Sequence, residues 1–332
     1  MLMTIVSFIF VFGIIVIAHE LGHFVTARLN GIKIHEFSIG MGPKIAKWQG
    51  PETLYSLRAF PLGGFVKMEG EDEVSEDPRS FSNKKPYQRL MVLVAGATMN
   101  FVLAYVLLVI IMFGMGSASN RIEAVIDDMP AQSAGLLPGD RIIEIDGKKI
   151  STWEQVINGI NDSKGDKITV VVERSDDLNV ILEMVPELGP DGNYKVGVQT
   201  MLEKSVDKSL GVAWDQFRMF FTDIFKFFTQ LGSKEVQGEL VGPVGIVSII
   251  GQASEQGFWN LLFIAAYISI NLGIVNLLPF PALDGGRIVF VVIEMIKGKP
   301  IDREKEGYVH FIGIVILMAL MLFLVFRDIS NL

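Results

Sequence analysis

The chain has 332 residues, half of them hydrophobic, with 33 glycines and no cysteine, and its mean hydropathy is +0.42. That length and apolar content accommodate a bundle of several membrane spans plus one small soluble domain, and little more. A net charge of −8, from 37 acidic and 29 basic residues, argues against a general nucleic-acid binder, and the lack of cysteine excludes disulfides and thiolate zinc ligands, leaving His, Asp and Glu to hold any metal.

The first predicted element is an apolar span over about 3–27. No basic flank precedes it and it holds no small-residue cleavage site, so it is expected to be retained in the mature protein. It contains His19-Glu20-Leu21-Gly22-His23. On a helix the two histidines share one face and can converge on a single metal, while Glu20 stands beside them as a general base. Such a site hydrolyses peptide bonds with a metal-activated water. Arg28 closes the span, which puts His19 roughly 13 Å from its end. Ionisable groups at that depth are expensive and mark function.

The loop from Arg28 to Arg89 carries ten Lys or Arg residues. Within it, Thr53 to Arg58 and Phe60 to Lys67 are predicted strands around a Pro-Gly bend. A free strand edge there would capture an unwound substrate segment, whereas the plainer reading is a surface hairpin. The acidic stretch Glu69 to Asp77 reads as a solvated loop. A second span over about 90–116 repeats Gly96, Asn100 and Ala104 every fourth residue, which suits close helix packing with one polar bond or contact of Asn100 with the active site.

Residues 117–202 are predicted to form a small α/β domain. Pro130 to Gly135 gives a helical turn, Gly139-Asp140 a corner and Asp146-Gly147 a tight turn. A helix over Ser151 to Asn161 follows, with strand patterns at Lys167 to Glu173, Asn179 to Glu183 and Tyr194 to Val198. Val212 to Leu231 then gathers Trp214, Phe217, Phe221, Ile224, Phe225 and Phe228 on one helical face. Its charges, Asp215, Arg218, Asp223 and Lys226, speak against a span, so it is expected to lie at the membrane interface or to pack on the α/β domain.

Third and fourth spans are predicted over about 258–280 and 308–326. The third ends at Asn276-Leu277-Leu278-Pro279-Phe280-Pro281-Ala282-Leu283-Asp284-Gly285-Gly286, where prolines and glycines forbid a regular helix. Broken backbone at membrane depth is tolerated when it is buried in protein or lines a wet cavity. Five basic residues in 287–305 and ten in 28–89 predict that these two loops are cytoplasmic, with both termini and residues 117–257 outside. Asp284 then reaches the depth of the histidines, and two His with one Asp leave a fourth zinc position for water. The alternative is that the cluster simply ends a helix at the membrane surface.

His19-Glu20-x-x-His23 on a first span and Asn276 to Gly286 on a later one, with the α/β insertion between, resemble the bacterial site-2 proteases, in the branch that regulates sigma factors. The resemblance covers nearly the whole chain. It implies that His19, His23 and Asp284 bind Zn2+, that Glu20 is the base, and that Asn276 and Asn100 support substrate or transition state. Gly63-Gly64-Phe65-Val66-Lys67 resembles a family β-element, which adds Gly64 and Phe65 to the supporting set. Pro130 to Gly147 resembles a bacterial PDZ domain, which binds extended peptides or serves as a steric plug. Gly238 to Ile246 is similar to a family Gly-Pro stretch and is expected to be a flexible joint.

The implied fold is an α-helical polytopic membrane protein of about four transmembrane helices with an inserted extracytoplasmic PDZ-like α/β domain. Residues 1–116 would hold the first two spans and the β-hairpin loop, 117–202 the PDZ-like domain, 203–257 the interfacial helix and joint, and 258–332 the last two spans. The implied function is a zinc-dependent intramembrane endopeptidase of the bacterial inner membrane. It would cut single-span proteins in the lipid bilayer, such as anti-sigma factors or remnant signal peptides, after a separate first-cutting protease, with no nucleic-acid partner. Two other classes are weighed. A non-catalytic PDZ receptor has no use for Glu20, and a divalent-metal transporter fits poorly with one site and four spans. His35 and His310 have no motif partner.

Overall fold

The computed structural model describes residues 1–71, 75–174, 178–230, 241–299 and 301–330. It divides into two compact units, one of Met1–Ile111 with Ala213–Leu332 and one of Met112–Val212.

Helix α1 spans Leu2–Leu29, and its buried residues Val11, Ile15, Ala18 and Gly22 recur at helical spacing along one stripe. Strands β1 (Ile34–Gln49) and β2 (Leu54–Met68) follow. The two predicted strand segments of β2 do not pair with each other: Ile34 to Ile39 lies between them, paired with Gly64 to Met68 on one side and with Leu54 to Leu57 on the other. Lys44 to Gln49 then covers the far edge of Leu54 to Arg58. Among the described residues, Gly64 to Met68 thus has a strand neighbour on one edge only. The sheet is fixed to α1 by apolar packing, since Phe24 and Ala27 share a core with Ile34, Phe37, Val66 and Met68. Helix α2 covers Pro86–Met115, with proline at its start, where the missing N–H costs nothing. It crosses α1 closely: a Cβ on Gly22 would stand 2.7 Å from the Ala95 carbonyl carbon and 2.9 Å from Met99 Cγ.

The second unit contains β3 (Ser117–Val125), the turn α3 (Pro130–Ser133), β4 (Arg141–Ile145), β5 (Lys148–Lys149), α4 (Trp153–Asp162), β6 (Ile168–Arg174), β7 (Leu178–Met184), β8 (Glu187–Leu188), β9 (Tyr194–Lys195) and β10 (Val198–Glu203). The main sheet runs β10-β3-β4-β6-β7, with β5 on β4. Its core is aliphatic: Ile122, Ile142, Ile145, Val156, Ile168, Val170 and Val172 are all buried. Thr152 caps α4 in a reciprocal box with Gln155. The strand predicted over Tyr194 to Val198 is broken, because Gly197 sits at φ +83° and separates β9 from β10.

Helix α5 covers Val206–Gln230. Its aromatic face is partly covered by neighbouring helices: Phe221 meets Phe101 of α2 at 5.6 Å between ring centroids, and the adjacent Phe220 meets Phe263 and Tyr267 at 5.1 Å, while Trp214 and Phe225 stay more than half exposed. The side chain of Phe228 lies outside the described residues. The expected joint is another correction. Gly238 is outside the described residues, but Pro243–Gln256 is a regular helix, α6, whose Ser254 hydroxyl pairs with that of Ser7 on α1 at 2.8 Å. Helix α7 (Phe258–Leu277) carries the third predicted span, and the supposed loop after it contains a helix, α8 (Asp284–Lys297). Helix α9 covers Arg303–Ser330. Near its end, Asp328 accepts the Gly242 and Gly245 N–H groups at 3.3 and 2.9 Å, placing an anion at the positive N-terminus of α6. Among the described residues, four helices are long and apolar enough to cross a membrane, namely Leu2–Leu29, Pro86–Met115, Phe258–Leu277 and Glu304–Ser330.

Candidate metal and catalytic centre

Helical spacing puts His19 and His23 on one side of α1, turned towards α2. Room for them comes from Gly96, where a Cβ would stand 2.7 Å from His19 Cε1 and 2.8 Å from His23 Cε1. His23 Nδ1 lies 2.8 Å from the Val92 carbonyl oxygen, which can only accept, so the neutral ring carries its proton on Nδ1 and a bare lone pair on Nε2. His19 Nδ1 lies 3.3 Å from the side-chain amide of Asn100. Asn100 is fully buried and its Oδ1 has no hydrogen-bond partner. Amide orientation is assigned from the bonding network, and exchanging O for N turns that orphaned oxygen onto the His19 Nδ1–H. Both rings are then anchored through Nδ1 to α2 and present Nε2 inward. The Asn100 backbone carbonyl in turn accepts the Ser269 hydroxyl of α7 at 2.9 Å.

Asp284 comes from the opposite direction. After α7 the chain turns sharply: Phe280 N–H donates to the Leu278 carbonyl at 2.6 Å, Leu283 N–H to Phe280 at 3.2 Å and Gly286 N–H to Leu283 at 3.1 Å. Gly285 and Gly286 are needed because this bend folds back on the start of α8; a Cβ on Gly286 would stand 2.5 Å from the Phe280 carbonyl oxygen. Asp284, as first residue of α8, then points its Oδ2 at the histidines, 3.3 Å from His19 Nε2 and 3.2 Å from His23 Nε2.

The two Nε2 atoms are 3.2 Å apart. Ligand atoms of a tetrahedral zinc, each at about 2.0 to 2.1 Å, stand roughly 3.3 Å from one another. All three separations match that triangle. Moreover, Asp284 Oδ2 is buried and makes no hydrogen bond of acceptable geometry. Three facing lone pairs repel one another without a cation between them, so the residues fit a zinc ion.

Glu20 follows His19 on α1 and lies against β2, where a Cβ on Gly64 would stand 2.9 Å from Glu20 Cγ. Phe65 is next in β2, with the Arg58 guanidinium 4.9 Å from its ring centroid. Asn276 is half-buried in the last turn of α7. The structure thus brings together His19, His23, Asp284, Asn100, Glu20 and Gly64. Three participants escaped the sequence. Gly96 was legible only as a packing residue, and the Val92 carbonyl carries no side-chain signal. His310, seemingly partnerless, accepts the Ala282 N–H at Nδ1 from 3.0 Å.

Two imidazoles, a carboxylate and an adjacent glutamate thus converge among apolar helices, a donor set and neighbouring acid of the kind that metal-dependent peptidases use. Residues 7–320 match the model of peptidase family M50, and the chain belongs to that family, the site-2 proteases. It is a zinc metalloprotease and an integral membrane protein. A Clostridium perfringens protein whose name includes "zinc metalloprotease" is 38% identical over 331 residues, covering 98% of each chain. Zinc metalloprotease RasP of Bacillus licheniformis and the regulator of sigma-W protease RasP of Bacillus subtilis are each 34% identical, with 99% of each chain covered. Among solved structures, the PDZ domain of an SdrC-like protein from Listeria monocytogenes is 24% identical over 26% of this chain and 88% of its own, with a TM-score of 0.23.

Proposed function

We propose that this chain is an intramembrane endopeptidase in which His19, His23 and Asp284 hold zinc and Glu20 is the general base. The observation that carries this reading is the Nε2, Nε2, Oδ2 triangle with sides of 3.2 to 3.3 Å. Zinc, when bound, supplies a Lewis acid that acidifies water and polarises a carbonyl. Glu20 takes the proton from the attacking water and returns it to the leaving amine, so that no charged amide nitrogen has to depart. Asn100 and Val92 keep both imidazoles in the tautomer that frees Nε2.

A transmembrane substrate hides its carbonyls in helical hydrogen bonds, so it must unwind before cleavage. The edge of Gly64 to Met68 that has no strand partner among the described residues, and that begins at the residue lying against Glu20, offers backbone groups to an extended segment. Gly64 leaves space for the substrate backbone, Phe65 provides an adjoining surface, and Asn276 binds the substrate or the developing oxyanion. Substrates of this class are single-span proteins already trimmed by another protease, such as anti-sigma factors or remnant signal peptides. That the B. subtilis relative is named a regulator of sigma-W protease supports the anti-sigma class. The basic loops 28–89 and 287–305 favour an inner-membrane topology with the site towards the cytoplasm and the PDZ-like domain outside, where it screens the size of a substrate's outer part.

Glu20→Gln tests the central assignment in cells expressing tagged single-span substrates. Cleavage should fall by about 10² to 10⁴ while zinc content is kept; cleavage at the normal rate refutes the mechanism. Reporters fused after Asp77 and after Asp191 test the sides, with cytoplasmic and outside signals expected in turn.

A further inference from the structure

The bend that delivers Asp284 contains an unfavourable backbone conformation. Ala282 has φ +77°, and among the described residues it is the one non-glycine residue of its unit in the left-handed region. Alanine has neither glycine's freedom nor the short polar side chain that lets Asn or Asp adopt this conformation. Something outside the bend must hold it there.

Two contacts from α9 do so. The Ala282 N–H donates to His310 Nδ1 at 3.0 Å. Because Nδ1 accepts, the ring proton is on Nε2, which faces Glu306 Oε1 at 3.9 Å, while the Phe290 ring lies 5.8 Å away and helps fix the imidazole plane. One turn further along α9, Pro281 occupies the space a side chain would fill at Gly313: a Cβ there would stand 2.5 Å from both Pro281 Cβ and its carbonyl oxygen.

We propose that His310 and Gly313 form a clamp through which α9 holds Leu278 to Leu283, and that this clamp sets the position of the Asp284 carboxylate for zinc. His310 is thereby a positioning residue. Without its acceptor nitrogen, Ala282 relaxes to negative φ, and the carboxylate two residues on leaves the triangle it forms with His19 and His23. This rests on the proposed role of Asp284 as a ligand.

The test uses the full-length, zinc-loaded protein in detergent micelles, reading zinc retention against a graded chelator. His310→Leu is expected to lose about 10- to 100-fold in zinc affinity, the range for removal of a group that orients a metal ligand. His310→Asn, whose Oδ1 takes the place of Nδ1, should stay close to wild type. Ala282→Gly added to His310→Leu should recover most of the loss, since glycine adopts positive φ without help. Asp284→Ala is the reference. If Asp284→Ala keeps its zinc, the ligand assignment fails. If it loses zinc while His310→Leu binds as wild type does, the clamp is wrong and the ligand assignment stands. Loss in His310→Leu that neither Asn at 310 nor Gly at 282 repairs also overturns the positioning role, because it reports general damage to α9.

Discussion

Asp140 is buried and Asp284 half-buried with a buried Oδ2, each beside prolines and glycines at a turn, and their surroundings differ completely. Asp140, with a side chain 1% exposed, receives the Arg174 Nε–H and Nη2–H at 2.9 and 2.8 Å and the Leu137 N–H at 3.0 Å. Both carboxylate oxygens that folding removed from water have found donors, and the result is a rigid corner in the α/β unit. Asp284 meets two nitrogens that offer no proton. A buried carboxylate with donors is structural, whereas one held among lone pairs is kept for something absent from the polypeptide.

The sharpest way to break this comparison is to remove each carboxylate in turn. Asp284→Ala should abolish stoichiometric zinc binding and cleavage, while Asp140→Ala should leave zinc content unchanged; metal analysis of the two purified proteins decides. A smaller effect is expected at Gly96. Gly96→Ala drives a methyl against both histidines and should cost on the order of 10²-fold in cleavage, the usual penalty for an ångström of misplacement, together with weaker zinc retention. By contrast Gly139, at φ +94° with open space around its Cβ position, should cost only about 1 kcal/mol as alanine, from backbone strain alone.

Asp140 also yields a pH prediction. Burial pushes its carboxyl up, but the Arg174 guanidinium and the Leu137 N–H outweigh this and hold it below the usual aspartate value of 3.8. The folded state therefore binds the proton less readily than the unfolded state. The resulting stabilisation is fully present above about pH 4 and is lost as the pH falls through the depressed value. Relative to the intrinsic amide rate at each pH, hydrogen-exchange protection in β4 and β6 should fall on acidification through that window, and Asp140→Asn should remove most of that pH dependence. An equally small effect is expected for Thr152→Ala, which deletes the capping box of α4 and should raise local exchange by an amount equivalent to about 1 kcal/mol.

The parts of the molecule legible in the sequence are those whose signal is local. His19, Glu20 and His23 lie within one turn and a half of helix, and the uninterrupted apolar runs announce the four long helices. What was missed depends on partners distant in sequence. Helix α6 contains Gly245, Ser248 and Gly251, poor helix formers, and it is stabilised by Asp328 at its start and by close packing on α1, where a Cβ on Gly251 would stand 2.8 Å from Thr4 Cγ2. Strand β1 includes Gly40, Gly42 and Pro43, which hide its period, and its Ile34 to Ile39 part gains order by lying between the two halves of β2. The aromatic face of α5 was visible, but its cover was not, because amphipathicity shows that a face is covered without naming the covering partner. His310 lacks a motif because its bond goes to a backbone N–H, which no residue pattern records.

The contact of Gly22 with Ala95 bears on traffic through the bilayer. Where α1 and α2 cross, their backbones approach too closely for even a methyl group, and the seam sits between His19 and His23 in the chain. A substrate helix is roughly 10 Å across, and a lipid tail also needs more width than this seam has. No peptide can slide in along that line. Approach to His19 and His23 is therefore left to the other flanks of α1.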